Sequence, residues 1–185
     1  MTMAQRLRPT CKSSFGAGLN ETLGCESCPL DPMRVTLKKF STSPKFLVVT
    51  KPPTESMSIS NRVLSKQAAA TFKAAIEKAG FAVEDFCFSP AVQCHFDADT
   101  TDTPTKKAIK KACALRLQHV IDSMNPEVVI PMGADAASAV MNRGVKITKA
   151  RGVLTHPQNR TLRVYPVFDP DFVCMYPQHV QTFEI

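Results

Sequence analysis

The sequence predicts an α/β domain, a three-layer sandwich with a mainly parallel, four-stranded central sheet. Three observations carry that expectation. Short β-branched runs alternate with segments of helical period in the order β-α-β-α-β-α-β, the order of a parallel sheet covered by crossover helices. Each strand candidate runs into a proline or glycine, the residues that stop a strand and open a loop. The 185 residues suffice for one proper core and are too few for two comfortable ones.

Residues 1–24, rich in Gly, Ser, Thr and Arg, read as a loosely structured arm, and residues 25–185 as a single domain. "KFLVVT" (45–50) is apolar and β-branched and is halted by "KPPTES", so it reads as a buried strand followed by a loop. Ser60 to Ala79 carries Val63, Ala70, Phe72, Ala75 and Ile76 and suits an amphipathic helix, with Gly80 placed for a left-handed stop. A second strand is expected around Asp85–Val92, and "HFDADTTDTP" (95–104) is a polar loop. From 103 to 124, Ile109, Cys113, Leu117, Val120 and Met124 make one apolar stripe at helical spacing. "EVVIPMG" (127–133) is a third strand, Ala134–Asn142 a small-residue helix, and "TLRVYPVF" (161–168) a fourth strand. No internal repeat or low-complexity tract interrupts this order. Ligands of such sheets bind outside the carboxyl ends of the strands. Function is therefore expected in "TKPPTES", "SPAVQC", "MGADAAS" and "VFDPDF".

Composition narrows the class. With 44% hydrophobic and 21% charged residues, the chain is ordinary globular material. No apolar run approaches the length of a membrane span. The start, "MTMAQRLRPTCKSSFGAG", is basic without an apolar stretch, unlike a secretory signal, so a cytoplasmic location is expected. Seven cysteines in that setting point to reduced thiols or metal ligands rather than disulfides. The net charge of +7 points to a polyanionic partner, nucleic acid first.

Four of the cysteines can be chosen to fit a metal. "GCESCPLD" (24–31) supplies Cys25 and Cys28, Cys94 ends the second strand region, and Cys113 lies on the stripe of the following helix. Four thiolates suit a [4Fe–4S] cluster or tetrahedral zinc. The alternative makes Cys113 a small core residue and Cys94 an ordinary thiol.

The frame resembles the iron–sulfur (family 4) uracil-DNA glycosylases. "GCESCPL", a strand with a Pro-rich loop, a cysteine ending a later strand and another in the next helix follow that family's order, as do "LQHVIDSMNPEVVIPMGADAAS", "ITKARG" and "YPVFDPDF". The likeness spans roughly residues 22–174. It implies Cys25, Cys28, Cys94 and Cys113 as ligands of a structural [4Fe–4S] cluster, with zinc as the alternative, and DNA as the partner. Cys11, Cys87 and Cys174 have no counterpart; Cys87 reads as a core strand residue and the other two as free thiols.

The same resemblance locates chemistry that is missing. A uracil glycosylase extrudes the base, stacks a ring on it and reads its edge, then stabilises the departing anion. The family's Gly-Glu-Ala-Pro-Gly loop is Thr50-Lys51-Pro52-Pro53-Thr54 here, so Pro53 matches, Lys51 replaces the glutamate and both glycines are gone. "SMSISNRVLSKQ" holds no stacking aromatic. The base-reading asparagine is Pro90, and the family's Thr-Phe/Tyr-His-Pro is Val167-Phe168-Asp169-Pro170. Pro53, Pro90, Phe168 and Asp169 thus mark a vestigial base pocket. Asp169 reads as a helix N-cap, the alternative being a water-activating base. His156, before the last strand, reads as a loop histidine.

Lys106, Lys107, Lys110 and Lys111 crowd one helix and, with Lys51 and Arg151, are the candidate DNA contacts; the other reading is a solvated helix face. Lys38, Lys39, Lys45, Lys146 and Lys149 add charge near predicted loops. The resemblance implies a DNA-binding protein that has lost uracil excision. Phage-encoded relatives of this fold accompany replicative DNA polymerases, which implies an accessory part in replication or repair. The rivals are a glycosylase of altered base specificity that uses Asp169, and a redox carrier or zinc-bound structural protein.

Overall fold

Alternation within the strands builds the domain. In the computed structural model, which describes residues 22–30, 35, 38–39, 44–156, 161–176 and 178–179, β2 (Phe46–Thr50) is the central strand. It pairs in parallel with β3 (Phe86–Pro90) on one side and β4 (Val128–Pro131) on the other, with Val48 opposite Phe88 and Ile130. The two-residue β1 (Lys38–Lys39) runs antiparallel on the outer edge of β3, giving the order β1-β3-β2-β4. Successive side chains of a strand point to opposite faces. Leu47, Val49, Cys87 and Val129 therefore face one core, and Val48, Phe86, Phe88 and Ile130 the other.

Helices cover both cores, which makes the three layers expected from the sequence. α3 (Thr103–Met124) and α4 (Gly133–Met141) cover the first face through Leu117, Val120, Ile121 and Ala136. α2 (Lys66–Lys78) and α6 (Pro170–Met175) cover the second through Phe72, Ile76 and Val173. The boundaries follow local chemistry. Ser65 caps α2 by accepting from the Ala68 N–H at 3.1 Å, so the helix starts six residues later than the apolar pattern suggested. Gly80, at φ +81°, ends it as expected. Asp102 caps α3 by accepting from the Thr105 N–H at 2.9 Å, and Asn125 closes it in the left-handed conformation. Two short helices were not foreseen: α1 (Glu55–Ile59), capped by Thr54, and α5 (Ile147–Ala150).

The expected fourth strand needs correction. Residues 161–168 lie parallel to β4 through isolated bridges at Val129–Val164 and Met132–Val167 rather than as a continuous strand. Val129 donates to Arg163, Tyr165 to Val129, Val167 to Pro131 and Gly133 to Val167. The bond due between them, from residue 131 to the Tyr165 carbonyl, is missing because proline has no N–H. The fourth strand of the sheet is instead β1. Residues 1–21 of the expected arm, Cys11 and the side chains of Lys38 and Lys39 lie outside the described residues. Cys87 is fully buried in β3, as expected, and Cys174 stands on α6 with its sulfur 3.1 Å from the Thr71 hydroxyl. Among the described residues, no helix is long and apolar enough to cross a membrane.

Phe72 packs edge-on against Phe86 (5.2 Å between centroids) and Phe88 (5.3 Å). Phe72→Ala should cost about 3–5 kcal/mol, read as a lower urea midpoint at unchanged slope. A loss below about 1 kcal/mol would mean that this face is not the packed core described.

Candidate functional site

Parallel pairing brings the four predicted loops to one end of the sheet, and the first of them carries a charge that the others answer. Lys51 follows β2 directly. Its Nζ lies 3.0 Å from Asp169 Oδ2 and 2.8 Å from Asp171 Oδ2. Asp171 Oδ1 in turn accepts the Ser65 hydroxyl at 2.6 Å. Asp169 Oδ1 accepts the Asp171 N–H at 2.9 Å, with Pro170 in the first turn, so Asp169 is the N-cap of α6, as its Asp-Pro setting suggested. Gly133, at φ +83°, lets α4 begin hard against this loop, since a Cβ there would sit 3.3 Å from Asp169 Cβ.

Partial burial works against all of these charges, and their partners outweigh it. Burial pushes Lys51 down, but the hydrogen bond to Asp171 and the Asp169 charge hold it above the usual lysine value. Burial pushes Asp171 up, but the Lys51 ammonium and the Ser65 hydroxyl hold it below the usual carboxylate range. The space left is small. A cavity of about 10 Å³ remains between Lys51, Asp169 and Asp171 on one side and Met57, Leu64 and Met132 on the other. That is room for about one water, against the several hundred Å³ of a typical ligand pocket.

Of the four residues expected to mark a base pocket, Asp169 lines this cavity and the others do not. Pro53 sits in the loop after β2, where its carbonyl lies 3.1 Å from His95 Nδ1. Pro90 ends β3 and gives its carbonyl to Arg116. Phe168 is buried beneath Arg151, whose guanidinium carbon lies 4.6 Å from the ring centroid. Arg151 Nε is buried with no hydrogen-bond partner among the described residues. His156 is exposed in a loop, as expected.

Arg116 escaped the sequence reading. It is 1% exposed, donates from Nη1 to Ser89 Oγ at 2.8 Å and from Nη2 to the carbonyl of Pro90, and so ties α3 to the end of β3. The available signal was its place on the buried face of α3 between Cys113 and Val120.

The turn that carries Cys25 and Cys28 packs against α3 beside Cys113. Cys25–Ser27 form a single 3₁₀ turn led by Gly24 at φ +83°. A Cβ on Gly24 would run into the Ala112 carbonyl, so glycine is what lets the turn dock one residue from Cys113. Cys28, Leu30 and Phe96 pack on Val92, Ile109 and Cys113. Burial pushes the Cys28 thiol up, a hydrogen bond with the Leu30 backbone works against it, and Cys113 and Cys25 add smaller upward pushes. Cys94 is buried after β3. Among the described residues, no three His, Cys, Asp or Glu side chains are grouped closely enough to hold an ion as they stand. The donor chemistry nonetheless suits a thiolate-bound group: soft sulfurs from three segments, beside an apolar cluster.

The candidate DNA contacts divide. Lys51 and Arg151 are engaged within the chain, and Lys110 pairs with Asp135 at 2.9 Å. Lys107 and Lys111 are exposed on α3 and Lys106 is half-buried.

The ion network should carry a pH signature. Asp171→Asn should cost about 1–3 kcal/mol near neutral pH. The difference from the unchanged chain should fade as pH falls below about 4, where the unfolded and then the folded carboxylate take up protons. It should fade again only above about 10.5, as first the unfolded and then the folded Lys51, held above the usual lysine value, loses its proton. Urea unfolding at pH 3, at pH 7 and well above the usual lysine range checks this, and a difference independent of pH would rule out the pairing.

Comparison with known proteins agrees with this arrangement. The family model described as the uracil DNA glycosylase superfamily matches residues 37–184, beginning after the Cys25–Cys28 turn. The type-4 uracil-DNA glycosylase of Thermotoga maritima is 27% identical over 154 residues, covering 80% of this chain and 77% of that protein. With a parallel sheet whose loops gather at one end, and a match across most of its length, the chain belongs to the uracil DNA glycosylase superfamily.

Proposed function

We propose that this chain is a DNA-binding member of the superfamily that no longer excises uracil. One observation carries the reading: Lys51 is held between Asp169 and Asp171, in the loops where the family pattern puts the base pocket. An excising site needs a reader for the base edge and a donor for the leaving anion. Here the reader position is Pro90, with no amide, and Asp169 would repel the anion. A rival glycosylase using Asp169 as base is disfavoured, since one of its oxygens caps α6 and the other faces Lys51.

In the same reading Cys25, Cys28, Cys94 and Cys113 hold a [4Fe–4S] cluster. Bound there, the cluster supplies a structural knot between the turn at Cys25, the exit of β3 and α3. The chain's own residues support it from outside: Gly24 permits the docking, and Arg116 fixes the β3 exit from which Cys94 follows. The part played is accessory, in replication or repair and beside a DNA polymerase, which co-purification with a polymerase would test.

Two measurements decide the main points. No uracil should be released from single- or double-stranded DNA, even with protein near the substrate concentration, and Asp169→His alone should not restore release. Robust release abolished by Asp169→Asn would overturn the reading in favour of the rival.

Protein purified without oxygen should be brown, with broad visible absorption. Alanine at any one of the four cysteines should remove the colour and lower the unfolding midpoint. Colourless protein carrying one zinc per chain would replace the cluster with a tetrahedral zinc site.

A further inference from the structure

Beside the closed cavity lies an open cleft. It has a volume of about 410 Å³ and runs between α3 and α4, beneath the loops that follow β2 and β3. Its size falls in the range of small-ligand sites. Ala91, Val92, Ala114 and Ala139 give it a shallow apolar floor. Lys111 and Arg143 stand at its rim with no ion pair to a carboxylate among the described residues, whereas Lys110 is answered by Asp135. Three cations against one carboxylate leave the lining positive. The exposed Asn142 adds an amide that can both donate and accept.

A ligand that fits must combine an anionic group with a compact, largely apolar body. We propose that the cleft seats one nucleotide of a DNA strand. Its phosphate lies between Lys111 and Arg143, its sugar and base lie against the alanine floor, and the base edge comes within reach of Asn142. The inference deepens the DNA-binding reading above and rests on it. It also relocates the nucleotide contact, from the cavity shut by Lys51 to the cleft between α3 and α4. The floor holds no aromatic ring, so binding depends on phosphate contacts more than on stacking.

Fluorescence anisotropy of a labelled 15-nucleotide thymidine strand tests this, with the full chain and three variants. Ala114→Trp fills the cleft from an exposed helix position without changing charge. Lys111→Ala with Arg143→Ala removes the rim cations. Lys66→Ala removes a cation from α2, on the far side of the sheet. The first two should weaken binding tenfold or more, and Lys66→Ala twofold or less. The double variant should also lower the slope of log affinity against log salt by about 0.7, for the counterions displaced by one single-strand phosphate. Circular dichroism melts confirm that each variant folds.

If the unchanged chain binds the strand and Ala114→Trp binds equally well, the cleft is not the seat and the DNA-binding reading survives. Lys66→Ala weakening binding as much as the rim variant would reduce the contact to general surface charge, with the same consequence. Thymidine monophosphate that binds the unchanged chain but not Ala114→Trp, while strand binding is unaffected, would assign the cleft to a soluble nucleotide and overturn the strand assignment. Absence of strand binding by the unchanged chain would overturn both readings together.

Discussion

The register of β2 between two parallel partners is the constraint on which the rest depends. Thr50 stands level with Pro90, and Val49 with Pro131, so three strands end at nearly the same height. The segment after Tyr165 joins them through the Val167 and Gly133 bonds. Four loops far apart in sequence are thereby brought to one end of the sheet. That gathering is a property of the backbone and is indifferent to the side chains the loops carry. A scaffold of this kind keeps its shape while the chemistry at its mouth is exchanged.

The exchange seen here is of sign. Set beside the family pattern it resembles, a carboxylate has become Lys51 and an imidazole has become Asp169. Either change alone would leave a partly buried charge without its partner, a costly arrangement. Together they form a pair, and Asp171 and Ser65 complete its hydrogen bonding. The network joins the loop after β2 to the starts of α2 and α6. The four side chains form an internal contact of the fold.

Much of this was legible in the sequence because it rests on local rules. α3 matches its predicted limits, Thr103–Met124, because both ends are marked by polar caps and the stripe between them is regular. Asp169 was readable as a cap for the same reason. The last strand was misjudged because alternation in "TLRVYPVF" says nothing about the neighbour's proline, and the ladder fails at Pro131, thirty residues earlier. The pairing of Lys51 with Asp169 and Asp171 was not legible because its partners lie 118 and 120 residues away, beyond any local pattern. Arg116 was invisible for a related reason: a single charge on an apolar face is read as noise until the strand end it holds is known. The cysteine frame was readable as a set of donors, whereas its final geometry depends on how three separate segments close.

Arg116 also bears on how such a chain can change over time. Its guanidinium serves the end of β3 through two separate nitrogens, a fork that lysine cannot reproduce. An apolar residue would strand the Ser89 hydroxyl and the Pro90 carbonyl in a dry interior. The position therefore lacks graded intermediates, and a lineage that lost it would have to rebuild the β3 exit in the same step. Arg116, buried behind the loops at the mouth of the sheet, is held in place by the shape of the strand end it serves.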